Sequence, residues 1–255
     1  MSVKAVELLE HTVIKTDSPA LMRIEVEKTR RAFEIGQDCG LFRIPKVLDY
    51  YEDKGVAVFE RLYGIQPTNA LISSQTHGEL LAIRLATSLA IVHKELKLPD
   101  NMILPLPTEL ESYGSKVFIH GDLSTENVCF DEENSSIVIL DWQMTGVHGG
   151  QATYGTPYFD LIWFVNNLIY RPRIRYLLAN PLASITRMFI ETYFETTGNQ
   201  YDRDEFSRYA RHFFKIRHRS RKENASRRER LLLWRSHALA EMFIDSLQMI
   251  GEKTC

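Results

Sequence analysis

Three oxygen-bearing side chains lie near the middle of the sequence: Asp122, Asn127 and Asp141. Carboxylate and amide oxygens can hold Mg²⁺, which takes few protein ligands and leaves positions for substrate phosphates. A carboxylate on a neighbouring loop can point at whatever the metal holds. The set therefore indicates metal-assisted chemistry on a phosphate compound.

Two short apolar segments are expected to bring two of these residues together. Residues 128–130 and 137–140 flank a polar turn of Asp, Glu, Asn and Ser, which is typical of a β-hairpin. An antiparallel hairpin places the residue before its first strand beside the residue after its second strand, and paired strands run about 4.8 Å apart. Asn127 and Asp141 occupy these positions and are predicted to share one cation. Asp122 lies on the loop that enters the hairpin.

The pattern His120-x-Asp122-x-x-x-x-Asn127, followed by Ile-Leu-Asp141-Trp142, resembles the aminoglycoside phosphotransferase and choline kinase family, which has a protein-kinase-like fold. The resemblance implies that Asp122 orients the acceptor hydroxyl and takes its proton. It implies that Asn127 and Asp141 hold Mg²⁺ on the phosphates of ATP, and that His120 is a structural residue of the loop. An ordinary hairpin with a polar end is the alternative.

The implied fold is α+β and has two lobes. A small, trimmed N-terminal lobe of sheet and helix covers residues 1–60, and a hinge covers 61–66. A larger, mainly helical C-terminal lobe covers 67–255 and carries the metal hairpin. The resemblance implies that backbone groups from Glu60 to Leu62 contact the adenine ring, whereas a simple strand end and turn is the alternative.

Lys15 lies in a short apolar segment, residues 12–16, that is predicted to form a strand. In the family, a strand lysine contacts the nucleotide phosphates and pairs with a glutamate of the next helix. That helix is predicted over residues 20–36, ending at its glycine. Glu25 and Glu27 are both candidates, and Glu25 is favoured because it lies on the less charged side. The residues that share a face with Glu27 are expected to be solvated: Lys28, Arg30, Arg31 and Glu34.

Three more residues are candidates for roles near the site. In the family, an aspartate at the start of the next helix supports the catalytic loop, and Asp160 matches it; a helix N-cap is the alternative. His148 lies in a glycine-rich segment where an acceptor would enter and is a candidate substrate contact. His93 is expected to be structural.

Hydrophobic periodicity predicts the remaining elements. A first strand is expected at 3–9, and a second hairpin at 45–50 and 56–60 around a Glu-Asp-Lys-Gly turn. Leu81, Leu85, Leu89, Val92 and Leu96 recur at helical spacing and are expected to be core. Helices are predicted at 78–98, 159–170, 181–197, 202–219 and 226–250.

Composition sets broad limits on the class of protein. The chain has 255 residues, 44% of them hydrophobic, and a net charge of −2 that indicates no particular partner. Three scattered cysteines predict neither a disulfide framework nor a zinc site. No signal peptide and no apolar run of membrane-spanning length is evident, so a cytoplasmic location without a membrane span is expected.

Residues 208–230 contain ten Lys or Arg against two Glu. Such a stretch usually forms solvated helix faces, and an anionic acceptor or an acidic partner surface is the specific alternative. No nucleic-acid-binding motif is present, so nucleic acid is not an expected partner.

The resulting hypothesis is an ATP- and Mg²⁺-dependent phosphotransferase that acts on a hydroxyl group of a small molecule, such as an aminoglycoside, choline or ethanolamine, or a sugar. The alternative is a weak or inactive kinase-like binding or scaffolding module. It is motivated by the lack of any glycine before Gly36 that could form a phosphate-cradling loop. A metal-dependent phosphohydrolase is disfavoured because only His120 and His148 lie near the cluster.

Overall fold

The computed structural model describes residues 5–71, 75–111, 114–143, 152–170, 181–198, 202–224 and 227–251. The strands are β1 (Ala5–Leu8), β2 (Thr12–Thr16), β3 (Phe42–Arg43), β4 (Val47–Tyr51), β5 (Val56–Glu60), β6 (Ile65–Pro67), β7 (Val117–Phe118), β8 (Val128–Asp131), β9 (Ser136–Ile139) and β10 (Tyr154–Gly155). The helices are α1 (Pro19–Cys39), α2 (Thr68–Leu71), α3 (Gln75–Glu95), α4 (Tyr158–Tyr170), α5 (Pro181–Thr196), α6 (Arg203–Asn224) and α7 (Arg227–Gly251).

The first sheet is antiparallel, with the strand order β1-β2-β5-β4. Helix α1 packs on it through a small core in which Met22 and Val26 contact Ala57 and Phe59. A short 3-10 turn closes the β4–β5 hairpin at Gly55, which has a φ of 61°. This unit carries Lys15 on β2 and Glu25 on α1.

Helix α1 is longer than the sequence predicted. Gly36 does not end it; the helix continues to Cys39, and Gly40 is the left-handed C-cap, with its N–H bonded to the Gly36 carbonyl. Gly36 lies inside the helix because the chain folds back closely there: a Cβ on it would lie 2.8 Å from the Phe42 carbonyl oxygen. Its small size serves packing rather than termination.

The second sheet has the order β3-β9-β8-β6. Its centre is the predicted β8–β9 hairpin, in which Val128 is paired with Ile139. Strand β3 runs parallel to β9, and β6 runs antiparallel to β8. Strands β7 and β10 form a separate antiparallel pair.

The helices enclose the main core. Helix α4 is buried along nearly its whole length, which fits its mostly apolar sequence, and α3 packs on α5. The residues expected to be core in α3 and directly after it are buried: Leu81, Leu85, Leu89, Val92 and Leu96. Across the described ranges, no helix combines the length and apolar composition needed to cross a lipid bilayer.

Candidate active site

The carboxylate of Asp122 is held on both sides. Its Oδ1 accepts a hydrogen bond from the Trp163 indole Nε1 at 2.9 Å. The Asn127 amide Nδ2 donates to the Asp122 backbone oxygen at 2.9 Å and lies 3.3 Å from its Oδ2. Trp163 comes from α4, so a helix distant in sequence fixes the orientation of this loop carboxylate.

Asp160 lies behind the same loop and is fully buried. Its carboxylate accepts the backbone N–H of His120 at 2.6 Å and that of Gly121 at 2.9 Å. His93 Nε2 lies 3.1 Å from Oδ2. Burial favours the neutral acid, but the hydrogen bonds from His93 and Gly121 and the nearby imidazoles hold the pKa of Asp160 below its ordinary value. The loop is therefore anchored on a buried carboxylate.

The side chain of His120 has a defined tautomer. Its Nε2 lies 3.0 Å from the Leu140 carbonyl oxygen, which can only accept, so Nε2 carries the proton. Its Nδ1 accepts the backbone N–H of Asp122 at 3.2 Å. Burial, more than any other effect, lowers the pKa of His120 to about 4, so the imidazole is neutral at pH 7. A ring with both nitrogens engaged by backbone groups supports the loop.

Asn127 and Asp141 lie at the open end of the β8–β9 hairpin. The Leu140 N–H donates to the Asn127 carbonyl at 2.8 Å, which makes Asp141 the next residue beyond the pair. Asp141 has a left-handed φ of 55°, a conformation that aspartate tolerates better than most residues. Both side chains line one cavity.

This pair of residues fits Mg²⁺. The amide nitrogen of Asn127 is engaged by Asp122, which directs its oxygen elsewhere, and Asp141 adds a carboxylate. No group of three or more His, Cys, Asp or Glu that could hold a metal occurs in the described ranges. Two oxygen ligands suit a cation that completes its shell with water and substrate phosphates.

Lys15 joins α1 to the β8–β9 hairpin. Its Nζ lies 2.5 Å from Glu25 Oε1 and 2.6 Å from Asp141 Oδ1. Burial alone would lower the pKa of Lys15, but the two carboxylates outweigh it and raise the pKa above its ordinary value. The lysine therefore stays charged. Glu27 instead contacts Arg31 on the helix surface, at 2.9 Å.

Lys28 is a residue whose position the sequence analysis predicted wrongly. It was expected to be solvated, but it is completely buried, and its Nζ donates to the His120 carbonyl oxygen at 2.6 Å. Burial lowers its pKa to about 8, although the charges of Asp160 and Glu25 act in the opposite direction. Its spacing of three residues from Glu25 places both on one helix face, and this signal was available in the sequence.

A cavity of about 420 Å³ opens over these groups, within the size range of small-molecule sites. Lys15, Glu25, Asn127 and Asp141 line its polar part. Glu60 and Leu62 also line the cavity, whereas Asp122 is not among the lining residues. The apolar lining includes Val6, Leu8, Val13, Phe59, Leu140 and Trp142. His148 lies outside the described residues.

The model of the APH phosphotransferase enzyme family matches residues 93–203, a segment that contains Asp122, Asn127, Asp141 and Asp160. No curated protein matches the sequence.

Solved structures with a similar fold include kinases of small molecules. A glucosamine kinase aligns with a TM-score of 0.58 and 13% identity, over 99% of this chain and 82% of that one. A choline/ethanolamine kinase family protein from Mesorhizobium loti aligns with a TM-score of 0.55 and 13% identity, over 97% of this chain and 90% of that one. The choline kinase LicA from Streptococcus pneumoniae aligns with a TM-score of 0.53 and 12% identity, over 94% of this chain and 88% of that one. The predicted α+β, protein-kinase-like fold is therefore confirmed, as is the resemblance to aminoglycoside phosphotransferases and choline kinases.

Proposed function

We propose that this chain is an ATP-dependent phosphotransferase that moves the γ-phosphate of ATP to a hydroxyl group of a small molecule. The observation that carries the proposal is the convergence of Lys15, Glu25, Asn127 and Asp141 on one cavity, next to the fixed carboxylate of Asp122. The match of residues 93–203 to a phosphotransferase family supports the reaction class. The similarly folded glucosamine kinase was solved with glucosamine, ADP and inorganic phosphate, which supports nucleotide use.

ATP would occupy the cavity with its phosphates toward Lys15. The Lys15 ammonium has three N–H donors, and its two carboxylate partners leave one to meet a phosphate oxygen. The Glu60 N–H already donates to the Lys46 carbonyl, so the adenine ring would meet the Glu60 carbonyl and the backbone of Leu62. Mg²⁺ held by Asn127 and Asp141 would neutralise charge on the phosphates.

Asp122 would orient the acceptor hydroxyl and accept its proton. Trp163 and Asn127 fix its carboxylate, which reduces the reorganisation needed as the hydroxyl attacks. His120 is neutral and engaged by backbone groups, so it would support the loop rather than act as a base. Asp160 and Lys28 would hold the loop from behind.

The competing proposal is a binding or scaffolding module with the same fold. Its support is specific: the segment before Lys15 contains no glycine, so a glycine-rich phosphate-cradling loop is not evident there. Such a module would not release ADP in an Asp122-dependent way. Thermal stabilisation by Mg-ATP and ADP release with hydroxyl compounds separate the two proposals.

The test uses Asp122→Ala and Asp141→Ala, with Asp245→Ala, an exposed carboxylate on α7, as the matched control. Loss of the proposed base should lower acceptor-dependent ADP release by about 100-fold or more. Asp122→Ala should keep the rise in melting temperature that Mg-ATP causes, whereas Asp141→Ala should lose it. Asp245→Ala should keep both the acceptor-dependent ADP release and the rise in melting temperature with Mg-ATP. Near-normal ADP release from Asp122→Ala would contradict the assigned roles.

A further inference from the structure

The indole of Trp163 lies between the proposed base and helix α6. Its Nε1 donates to Asp122 Oδ1 at 2.9 Å, and the residue is only 5% exposed. The Phe159 ring stacks on it with centroids 5.6 Å apart, and the Phe213 ring meets it edge to face at 6.1 Å. Because the indole N–H lies in the plane of its ring, whatever fixes the orientation of the ring also fixes the bond to Asp122.

Arg217 on α6 lies over the face of the same ring. Its guanidinium carbon is 5.0 Å from the ring centroid, within the range of a cation–π contact, for which indole is the most favourable side chain. Arg217 follows Phe213 by four residues, so one face of α6 presents both side chains to Trp163. Burial of the indole excludes water from the ring, which strengthens the contact with the cation.

The cation and the carboxylate act on different parts of one aromatic group. A positive charge over the ring face attracts the π electrons, which leaves the Nε1 proton more positive. A more positive proton makes a stronger hydrogen bond to the Asp122 carboxylate, as in chains of groups that polarise one another. The effect requires only that the guanidinium lies over the ring, whatever else Arg217 contacts. Arg217 can therefore act on Asp122 without touching it.

The next turn of α6 repeats this arrangement on a different ring. The guanidinium carbon of Arg221 lies 4.2 Å from the centroid of the Tyr170 ring. Tyr170 follows Trp163 by seven residues, which places it about 10 Å further along α4. Arg221 is therefore a matched comparison for Arg217, because it has the same charge, the same helix and the same kind of contact, but a ring distant from the Trp163–Asp122 bond.

We propose that Arg217 is a positioning residue of the active site, which holds the Asp122 carboxylate in place by strengthening the hydrogen bond from Trp163. The inference rests on the proposed function for the role of Asp122, whereas the contact between Arg217 and Trp163 is independent of that function. It gives one residue of the basic segment 208–230 a task other than solvation or the binding of an anion. Helix α6 then contributes to the proposed active site through α4.

The first experiment observes the Trp163 indole directly and needs no substrate. The chain has three tryptophans, so isotope labelling of the indole nitrogens gives three N–H signals in a magnetic resonance spectrum, and Trp163→Phe identifies the one from Trp163. Arg217→Met keeps the length of the side chain but removes the charge, so the Trp163 N–H proton should move upfield. Its exchange with solvent should accelerate about 2–5-fold, the size expected for loss of a cation–π contact.

Two further variants show whether the charge over this particular ring is responsible. Arg217→Lys should retain most of the wild-type position of the Trp163 signal, because the cation is kept. Arg221→Met should leave the Trp163 signal and its exchange rate unchanged, because its cation lies over Tyr170. A Trp163 signal that responds equally to Arg217→Met and Arg221→Met, or to neither, would overturn the proposal.

The second experiment measures ADP release with glycerol, choline and glucosamine as acceptors. Arg217→Met should lower kcat about 2–5-fold and leave the KM for ATP unchanged, because a positioning contact acts on the reacting geometry rather than on nucleotide binding. In a Trp163→Phe background the same substitution should have no further effect, since the N–H that transmits it is gone. Equal losses in both backgrounds would show that Arg217 does not act through Trp163.

The two experiments separate the inference from the proposed function. If no Asp122-dependent ADP release appears with any of the three acceptors, the phosphotransferase proposal fails, and the indole signal still decides whether Arg217 acts on the hydrogen bond. If release appears but the indole signal does not depend on Arg217, the phosphotransferase proposal stands and the role of Arg217 is rejected. Circular dichroism spectra of the variants check that each is folded.

Discussion

Lys28 is a charged side chain without access to water, in contact with the backbone of the loop that carries Asp122. Its ordinary pKa of 10.5 falls to about 8 in the folded chain. Below pH 8 the folded chain must keep the ammonium charged in a dry site, a cost of about 3 kcal/mol for a shift of this size. The residue therefore costs stability where it positions the loop.

Replacing Lys28 with methionine should stabilise the chain and impair its activity. At pH 7, Lys28→Met should raise the free energy of unfolding by about 1–3 kcal/mol, because an apolar side chain replaces a buried charge. The same change should lower ADP release, since the His120 carbonyl loses its donor. Chemical denaturation and ADP release measure the two effects, and Lys97→Met, on an exposed lysine, is the control.

The difference in free energy of unfolding between Lys28→Met and the wild-type chain should depend on pH with a definite sign. Between pH 8 and 10.5 the unfolded Lys28 binds more protons than the folded one, so the wild-type chain gains stability as pH rises. Lys28→Met lacks this gain, so its advantage should shrink over that window. A wild-type chain more stable than Lys28→Met at pH 7 would contradict the argument.

The sequence predicted several residues that line the cavity, because a motif fixes their spacing. The hairpin pattern alone predicted the adjacency of Asn127 and Asp141. It could not predict Trp163 as the partner of Asp122, because that contact depends on how α4 packs 41 residues further along. Lys28 was misjudged because a charge on a helix is usually solvated, and here the helix is covered on two sides.

At the scale of elements, the turn at Gly55 sets the start of α1 against the sheet. Gly55 has a φ of 61°, and a Cβ on it would lie 2.1 Å from the Asp17 carbonyl oxygen. The Asp17 N–H donates to the Gly55 carbonyl, and the Gln143 amide Nε2 donates to the Asp17 carboxylate. This turn therefore connects β5, the start of α1 and the end of the β8–β9 hairpin.

Gly55→Ala should disrupt this connection, whereas Gly40→Ala should be mild. Both glycines adopt the left-handed backbone conformation, so each change should lower the free energy of unfolding by about 1–2 kcal/mol through backbone strain. Only Gly55 is crowded, since nothing lies within 4 Å of a Cβ on Gly40. Denaturation should show a clearly larger loss for Gly55→Ala, together with weaker stabilisation by Mg-ATP. Equal losses for the two variants would contradict the crowding argument.

Long elements were predictable, whereas the shortest were not. Helices α4 to α7 and the two hairpins follow from periodicity and turn residues. Strands β3 and β7 have two residues each and exist because a distant strand pairs with them, which no local pattern reveals. The end of α1 was placed too early because a glycine that packs closely resembles a glycine that stops a helix.

At the scale of the whole molecule, several polar contacts join residues of the first 60 positions to the β8–β9 hairpin and the segments beside it. Lys15 contacts Asp141, Lys28 contacts the His120 carbonyl, Gln143 contacts Asp17, and Arg43 pairs with Asp131. Strand β3 also joins the sheet of the β8–β9 hairpin. The boundaries of the lobes at 60 and 66 remain predictions, but the first sheet and the hairpin are directly connected.

Mg-ADP binding should therefore stabilise both sides of the cavity together. Hydrogen exchange should slow in residues 12–16 and 137–141, because both contact the proposed nucleotide site, and should change little in α7. Asp141→Ala removes the proposed metal ligand and should abolish the protection. Protection limited to the hairpin would indicate that the first sheet does not take part in binding.

The fold as a whole could be predicted because few folds place His-x-Asp, Asn and Asp at this spacing around one hairpin. The relation between the basic stretch and Asp122 could not, since it depends on α4 and α6 packing side by side. Residues 208–230 therefore looked like an ordinary solvated surface in sequence, and part of that stretch faces α4 in the structure.

The Lys15–Glu25 contact also bears on how the proposed activity could be regulated. Kinase-like enzymes can be switched off by moving the helix that carries the glutamate, which breaks this ion pair. Here Lys15 and Glu25 are in contact, and Lys28, one turn further along the same helix, donates to the His120 carbonyl oxygen. Moving α1 away from the loop would have to break both contacts together, so displacement of this helix should be costly in the proposed enzyme.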